Sequence, residues 1–429
     1  EGSSINLYNS ESYVEITGDL YIEDNATFTY TGDGYIKFSN PGGDATNNIF
    51  CGTNSSFVLQ GSGQNDKIME VQQSTVHFPG GINKVELRDG KIEMGSNCRL
   101  QNDIDTGDEE TILNNIKITS DDGIYNGHRG FSFWGQQNIT IEDCTFEYGK
   151  YGLNANNTYG GSALTVSGSD FIENQTGLYV YNKGVHLSYC EFTNNNTALN
   201  CEAMSFGSDL YVTNMFNNDY GAFYHGSSSA DLNIDICEIQ NNTYDGIRSS
   251  GNFDMELYCT YINNNRYGIY TTSGTDVHIE NDARNYFSGN DKTIYLNYGK
   301  IFANHGYNCL KSVNNDYAIY GYTDIRAICG RPPNWDVNNN QWEDDISAPP
   351  VHGTNYSLGV WGCWFDYTPV TLIDNNPSVH FCPHIKGKGL NETASSDSLT
   401  QEETETSALP LVSVSEDQSL PLDEALYTL

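Results

Sequence analysis

The sequence predicts an all-β solenoid of stacked parallel coils, with about 23 residues per coil, and three observations carry that prediction. A short unit recurs along the middle of the chain. Cysteines recur at about twice the same interval. The composition, 42 Gly with abundant Asn and 12% aromatics among 37% hydrophobic residues, suits turns and short strands better than helices.

The repeat is read directly from the chain. From residue 139 it runs ITIEDCTFEYGKYGL, then LTVSGSDFIENQTGL, VHLSYCEFTNNNTAL, LYVTNMFNNDYGAF, LNIDICEIQNNTYDGI and MELYCTYINNNRYGIY. Each unit is a short alternating strand, a Cys or polar corner, a second short apolar piece, an Asn-rich turn and a small residue before the next strand. The small residues Gly152, Gly177, Ala198, Gly221, Gly246 and Gly268 are spaced by 25, 21, 23, 25 and 22. One such unit cannot bury its apolar side chains, whereas stacked units share a continuous core. Asn tolerates left-handed backbone and can bond to the like residue on the next coil, so Asn194-Asn195-Asn196 and Asn263-Asn264-Asn265 suit repeated tight corners.

The cysteines follow the same spacing. Cys51, Cys98, Cys144, Cys190 and Cys237 are separated by 47, 46, 46 and 47 residues, and Cys259 follows 22 later. In a stacked coil this reads as one column of small buried side chains. Disulfides between neighbours such as Cys237 and Cys259 are the alternative, followed by a metal-binding or catalytic thiol. The total of 11 is odd and includes no Cys-x-x-Cys, so it does not describe a dense disulfide framework.

This pattern resembles the right-handed parallel β-helix of pectin-lyase-like proteins, in particular the NosD/CASH-type repeats described as carbohydrate-binding proteins and sugar hydrolases. The resemblance covers 139–330, where Val277-His278-Ile279 and Tyr317-Ala318-Ile319 continue it loosely. Upstream, YVEITGDLYIEDNATFTYTGDGYIKFS (13–39) resembles the opening coils of exported surface proteins of the Bacteroidota type IX secretion route. The resemblance implies a β-helix over 1–330 and a secreted or cell-surface location. It does not specify chemistry. A β-sandwich array would instead show hairpins with two-residue turns.

Composition shifts at Arg331-Pro332-Pro333. Trp335, Trp342, Trp361 and Trp364 follow within a short stretch, and 331–390 is read as a Trp/Pro-rich cap over the last coil. The same four Trp are also candidates for a carbohydrate-binding platform. Residues 391–429 hold nine acidic and no basic residues, and they read as an acidic tail or linker, through which secretion or attachment machinery would engage the chain.

Charge narrows the partners. With 20 Lys+Arg against 56 Asp+Glu, a formal net charge of −36, the chain repels nucleic acid and anionic lipid. No run of 18 apolar residues suggests membrane insertion.

Catalytic signals are sparse. In SDDGIYNGHRG (120–130), Asp121, Asp122 and His128 echo the paired aspartates and Gly-His-Gly element of polygalacturonase-like hydrolases. They sit seven residues apart rather than one repeat apart, and the upstream Asn-Thr-Asp and later Arg-Ile-Lys elements are missing. Scattered cations such as Lys150, Lys183, Arg248, Arg266 and Arg284 occupy no common repeat position, which predicts no basic stripe for a lyase. Asp103, Asp105, Asp108 and Glu110 in DIDTGDEE provide the oxygen ligands that calcium requires, and Asp336, Asn338 and Asn340 form a second candidate. Neither keeps a twelve-residue calcium-loop spacing. The expected function is a non-catalytic adhesive or glycan-binding surface protein. A polysaccharide-degrading hydrolase or lyase, and a spacer displaying a further C-terminal domain, are the alternatives.

Overall fold

The computed structural model describes residues 9–40, 45–79, 84–103, 110–121, 123, 127–135, 138–156, 163–279 and 283–297, with short pieces at 301–302, 308–312, 319–322, 341–342 and 351–353. Among the described residues every regular element is a β-strand, and every strand pairing is parallel. The strands form one 24-stranded and one 14-stranded sheet wound as a parallel β-solenoid. One turn places Leu164–Ser167 and Asp170–Ile172 in the larger sheet and Thr176–Tyr181 in the smaller. The next turn lays Val185–Ser188, Glu191–Thr193 and Thr197–Met204 directly on them.

Alternation sets which side chains enter the core. Leu164, Val166, Phe171, Leu178 and Val180 are buried, while Thr165 is exposed and Tyr179 and Tyr181 are half-exposed. In register along the smaller sheet, Phe131, Leu153, Leu178, Leu199, Ala222, Ile247, Ile269 and Ile294 stack at steps of 21–25 residues. A second interior column is aromatic at its start. Phe146 and Phe171 stack at 5.1 Å, Phe171 and Phe192 at 4.5 Å, and Met215, Ile239, Ile262 and Phe287 continue the column. Closer to the N-terminus the turns are less even, with steps of 29 at Phe28↔Phe57 and 31 at Leu100↔Phe131.

Each regular turn has two tight corners built the same way. A residue with positive φ bends the chain, and the residue after it hydrogen-bonds to its equivalent on the next turn. At one corner the left-handed residues include Glu173, Asn194, Asn217, Asn241 and Asn264. The asparagines that follow, Asn174, Asn195, Asn218, Asn242 and Asn265, form a buried ladder that continues to Asn290. The N–H and Nδ2 of Asn195 both donate to Asn218 Oδ1, at 2.9 and 3.0 Å, and its Nδ2 also donates to the Phe171 carbonyl. The same set repeats at Asn218, Asn242 and Asn265. Such a ladder satisfies corner amides that no strand pairing reaches.

The other corner corrects the cysteine expectation. Its column runs Cys144, Ser169, Cys190, Thr213, Cys237, Thr260, Asn285 and Asn308, so cysteine alternates with hydroxyl residues and the interval of 46 or 47 spans two turns. Sγ or Oγ bonds the carbonyl two residues back, as from Cys237 to Asp235 and Thr260 to Tyr258. Small side chains with a weak or strong donor are interchangeable there. Cys51 lies within the strand Ala45–Cys51 and Cys98 precedes Arg99–Asp103, both on the smaller-sheet side, outside this column. Cys259 is the left-handed residue before Thr260, with φ 48°. It is disulfide-bonded while Cys237 is a free thiol, so these two are not paired with each other.

The small residues mark a close approach of successive turns. A Cβ on Gly221 would lie 2.2 Å from the Gly246 carbonyl oxygen, and one on Gly246 would lie 2.7 Å from that of Gly268. Strands at Gln341–Trp342 and Val351–Gly353 pair with Cys309–Ser312 and Ile319–Tyr322, so parallel stacking reaches into the segment expected to cap the solenoid. Trp335, Trp361 and Trp364, the rest of that segment and the acidic tail lie outside the described residues, as does the side chain of Trp342.

Candidate functional site

The outer face of the 14-stranded sheet carries a stripe that follows from two repeat positions. Two residues after each small residue, the chain places Asn154, Tyr179, Asn200, Phe223, Arg248 and Tyr270 in one outward column, which Tyr295 continues in register. One residue before it, the chain places Tyr220, Asp245 and Tyr267, with Tyr267 in register with both Asp245 and Lys292. Two consecutive buried residues separate the two positions, as Gly268 and Ile269 separate the half-exposed Tyr267 and Tyr270, so strict alternation is broken at the small residue and both rings lie outside the core.

The rings touch one another. Tyr220 stacks with Tyr244 at 4.8 Å and lies 4.7 Å from Phe223. Tyr267 stacks on Tyr270 at 5.1 Å, and Tyr295 meets both nearly edge-on. Arg248 joins the two groups, its guanidinium 5.6 Å from the Phe223 ring centre and 4.9 Å from that of Tyr270. Arg266 lies over Tyr267, and Lys292 over Tyr267 and Tyr295. Two of the cations expected to be scattered, Arg248 and Arg266, therefore converge with Lys292, although the three come from different repeat positions. Each contact contributes only about 0.5–1.5 kcal/mol, but together they hold a half-exposed surface in a fixed shape.

Within the stripe lies one carboxylate, Asp245, whose side chain is only 5% exposed. Its Oδ2 is 3.6 Å from Arg248 Nε. Burial pushes its pKa up to about 6, against the opposing pull of Arg248 and Arg266.

Grooves also mark the larger sheet among the described residues. One, of about 510 Å³, is lined by Asp89, Asn114, Asn115, Asp143, Thr145 and Asp170, and Gln64 closes it by donating to the Asp143 carbonyl at 2.6 Å. Asp89, Asn115 and Asp143 all have positive φ, so the groove follows the left-handed corner. Another, of about 360 Å³, holds Asn233, Asp235, Glu256, Tyr258 and His278. Burial raises the pKa of Asp235, whose Oδ1 has no hydrogen-bond partner.

The residues singled out in the sequence occupy other places. His128 is fully enclosed. Gly130 N–H donates to its Nδ1 at 3.0 Å, so Nε2 carries the proton and donates to the Glu147 carbonyl at 2.9 Å. Burial depresses its pKa to about 4, which keeps the ring neutral. Asp121 is exposed at the end of Glu110–Ser120, and Asp122 lies outside the described residues. His128 and Asp121 thus share no solvent-facing site. Asp103 accepts from Gln101 and pairs with His77 Nε2 at 2.8 Å, whereas Glu110 faces Lys84 at 3.8 Å. Asp105 and Asp108, and the second candidate set at 336–340, lie outside the described residues. Among the described residues no three His, Cys, Asp or Glu side chains are grouped to hold a metal ion.

No protein-family model matches the chain. No curated protein and no solved structure matches it either. Functional inference therefore rests on the site itself. The stripe was missed because composition shows 30 Tyr without showing which share a face. The signal that finds it is the residue two places after each small residue.

Proposed function

We propose that this chain is a non-catalytic, exported cell-surface or extracellular protein that binds glycans through the aromatic and cationic stripe of its smaller sheet. In this reading the solenoid is a right-handed β-helix of the pectin-lyase-like kind, exported by a type IX-like route. The observation that carries the proposal is the unbroken run from Tyr220 to Tyr295, in which ring edges, phenol hydroxyls and guanidinium forks lie side by side on a rigid sheet. Aromatic surface and fixed polar donors are what sugar rings and hydroxyls require.

The test is binding of the full chain to an array of neutral and acidic polysaccharides, beside a Tyr267→Ala/Tyr270→Ala variant. The expected outcome is retention by a subset of glycans and at least tenfold weaker binding by the variant. Equal binding by both proteins would exclude the stripe.

A second reading is favoured by one observation, the three carboxylates of Asp89, Asp143 and Asp170 lining one groove from different turns. Paired carboxylates across a groove are the equipment of glycoside hydrolysis. Oligosaccharide release that Asp143→Asn abolishes would make the protein an enzyme and move its site to the larger sheet.

A further inference from the structure

The stripe already holds a carboxylate of its own. Asp245 is buried between the two ring clusters and faces the guanidinium of Arg248, with Arg266 also within electrostatic reach. The other titratable neighbours include the phenols of Tyr220, whose pKa burial and then Asp245 raise, of Tyr244 stacked on Tyr220, and of Tyr267 in register with Asp245, together with the carboxylate of Asp219, which also acts on Tyr220. Arg266 and Lys292 lie over rings at the open side of the same patch.

In a chain of net charge −36, this is a local concentration of cationic donors on one face. Successive turns are ~4.8 Å apart, close to the rise of one residue in an extended polysaccharide, so a linear glycan laid along the sheet meets a cation on each of three turns. Guanidinium forks match planar carboxylates in particular, and the group now opposite Arg248 is a carboxylate.

Building on the glycan-binding reading, we propose that the stripe takes a carboxylated polysaccharide, and that Asp245 is a built-in counter-ion competing with the ligand's carboxylates for Arg248 and Arg266. Asp245 then sets specificity without touching the sugar. It holds the stripe's affinity for acidic glycans below what its cations alone would give, and it neutralises the guanidinium when no ligand is bound.

The experiment measures affinity of the full chain for a polyuronate and for its carboxyl-reduced neutral counterpart, using wild type, Asp245→Asn, Arg248→Gln/Arg266→Gln and the triple variant, each checked for wild-type circular dichroism. Asp245→Asn should bind the polyuronate roughly tenfold more tightly, the equivalent of removing one charge-assisted contact, and should bind the neutral polymer unchanged. The arginine variant should lose the preference for the acidic polymer, and in its background Asp245→Asn should have no effect. The proposal is overturned if Asp245→Asn tightens both polymers alike, if its effect survives loss of both arginines, or if a sulfated polymer responds as the polyuronate does. Equal binding of acidic and neutral polymers by wild type overturns this inference while leaving glycan binding intact. Binding of neither polymer by any variant overturns glycan binding itself.

Discussion

His128 shows how a residue marked as catalytic serves the fold. Its two ring nitrogens are both engaged with backbone, one accepting and one donating, and this arrangement exists only for the neutral ring. The folded-state pKa of about 4 lies below the ordinary histidine value, so the folded protein binds fewer protons than the unfolded chain as pH falls. Stability contributed by neutral His128 is therefore complete above about pH 6.5 and is lost progressively down to about pH 4, a total of ~3 kcal/mol. Urea unfolding at pH 7 and pH 4.5 measures this loss, and His128→Asn should flatten the difference. An unchanged pH slope in that variant would place the acid sensitivity elsewhere.

At the scale of a single turn, spacing between coils rather than backbone conformation dictates the small residues. Gly221 and Gly246 are not among the residues with positive φ, yet a Cβ on Gly221 would press into the carbonyl of the next turn. Ala198 occupies the equivalent place one turn earlier, so a methyl fits where the local separation allows it. Gly221→Ala should destabilise by about 1–3 kcal/mol, as overpacking does, whereas Ala198→Gly should cost about 0.5–1 kcal/mol. Thermal melts of the two variants separate these cases. Equal small losses would mean that the turns part without strain.

Over the whole chain, charge and stacking oppose each other. The solenoid is held by nearest-neighbour contacts between turns, while the chain as a whole carries 56 acidic against 20 basic residues, an excess of like charge that repels. The ion pairs concentrate in the N-terminal turns, where Glu70 bridges Lys37 and Lys67, and Glu93 bridges Lys67 and Lys91. Salt screens both attraction and repulsion, but the excess of negative charge makes repulsion the larger effect. Raising ionic strength from about 0.01 to about 0.5 M should therefore raise the melting temperature. A fall on adding salt would show that the N-terminal ion-pair ladder dominates stability.

The period, the strand alternation and the asparagine corners were legible in the sequence because each depends on neighbours within one turn. Hydrophobic alternation sets the buried face, and Asn194 and Asn264 do take the left-handed corners that local chemistry favours. The partners of the cysteines were not legible, because Cys144, Ser169, Cys190 and Thr213 share a column that only the stacking register aligns. The same holds for the stripe. Arg248 sits two residues after its turn's small residue, Arg266 two residues before, and Lys292 directly above Tyr267, so the sequence disperses them. The sequence by itself determined a solenoid, because repetition makes each turn a template for the next. Only the tertiary structure decided which side chains meet on its surface, because contacts between turns depend on register, and irregular turn lengths move residues of different repeat positions onto one patch.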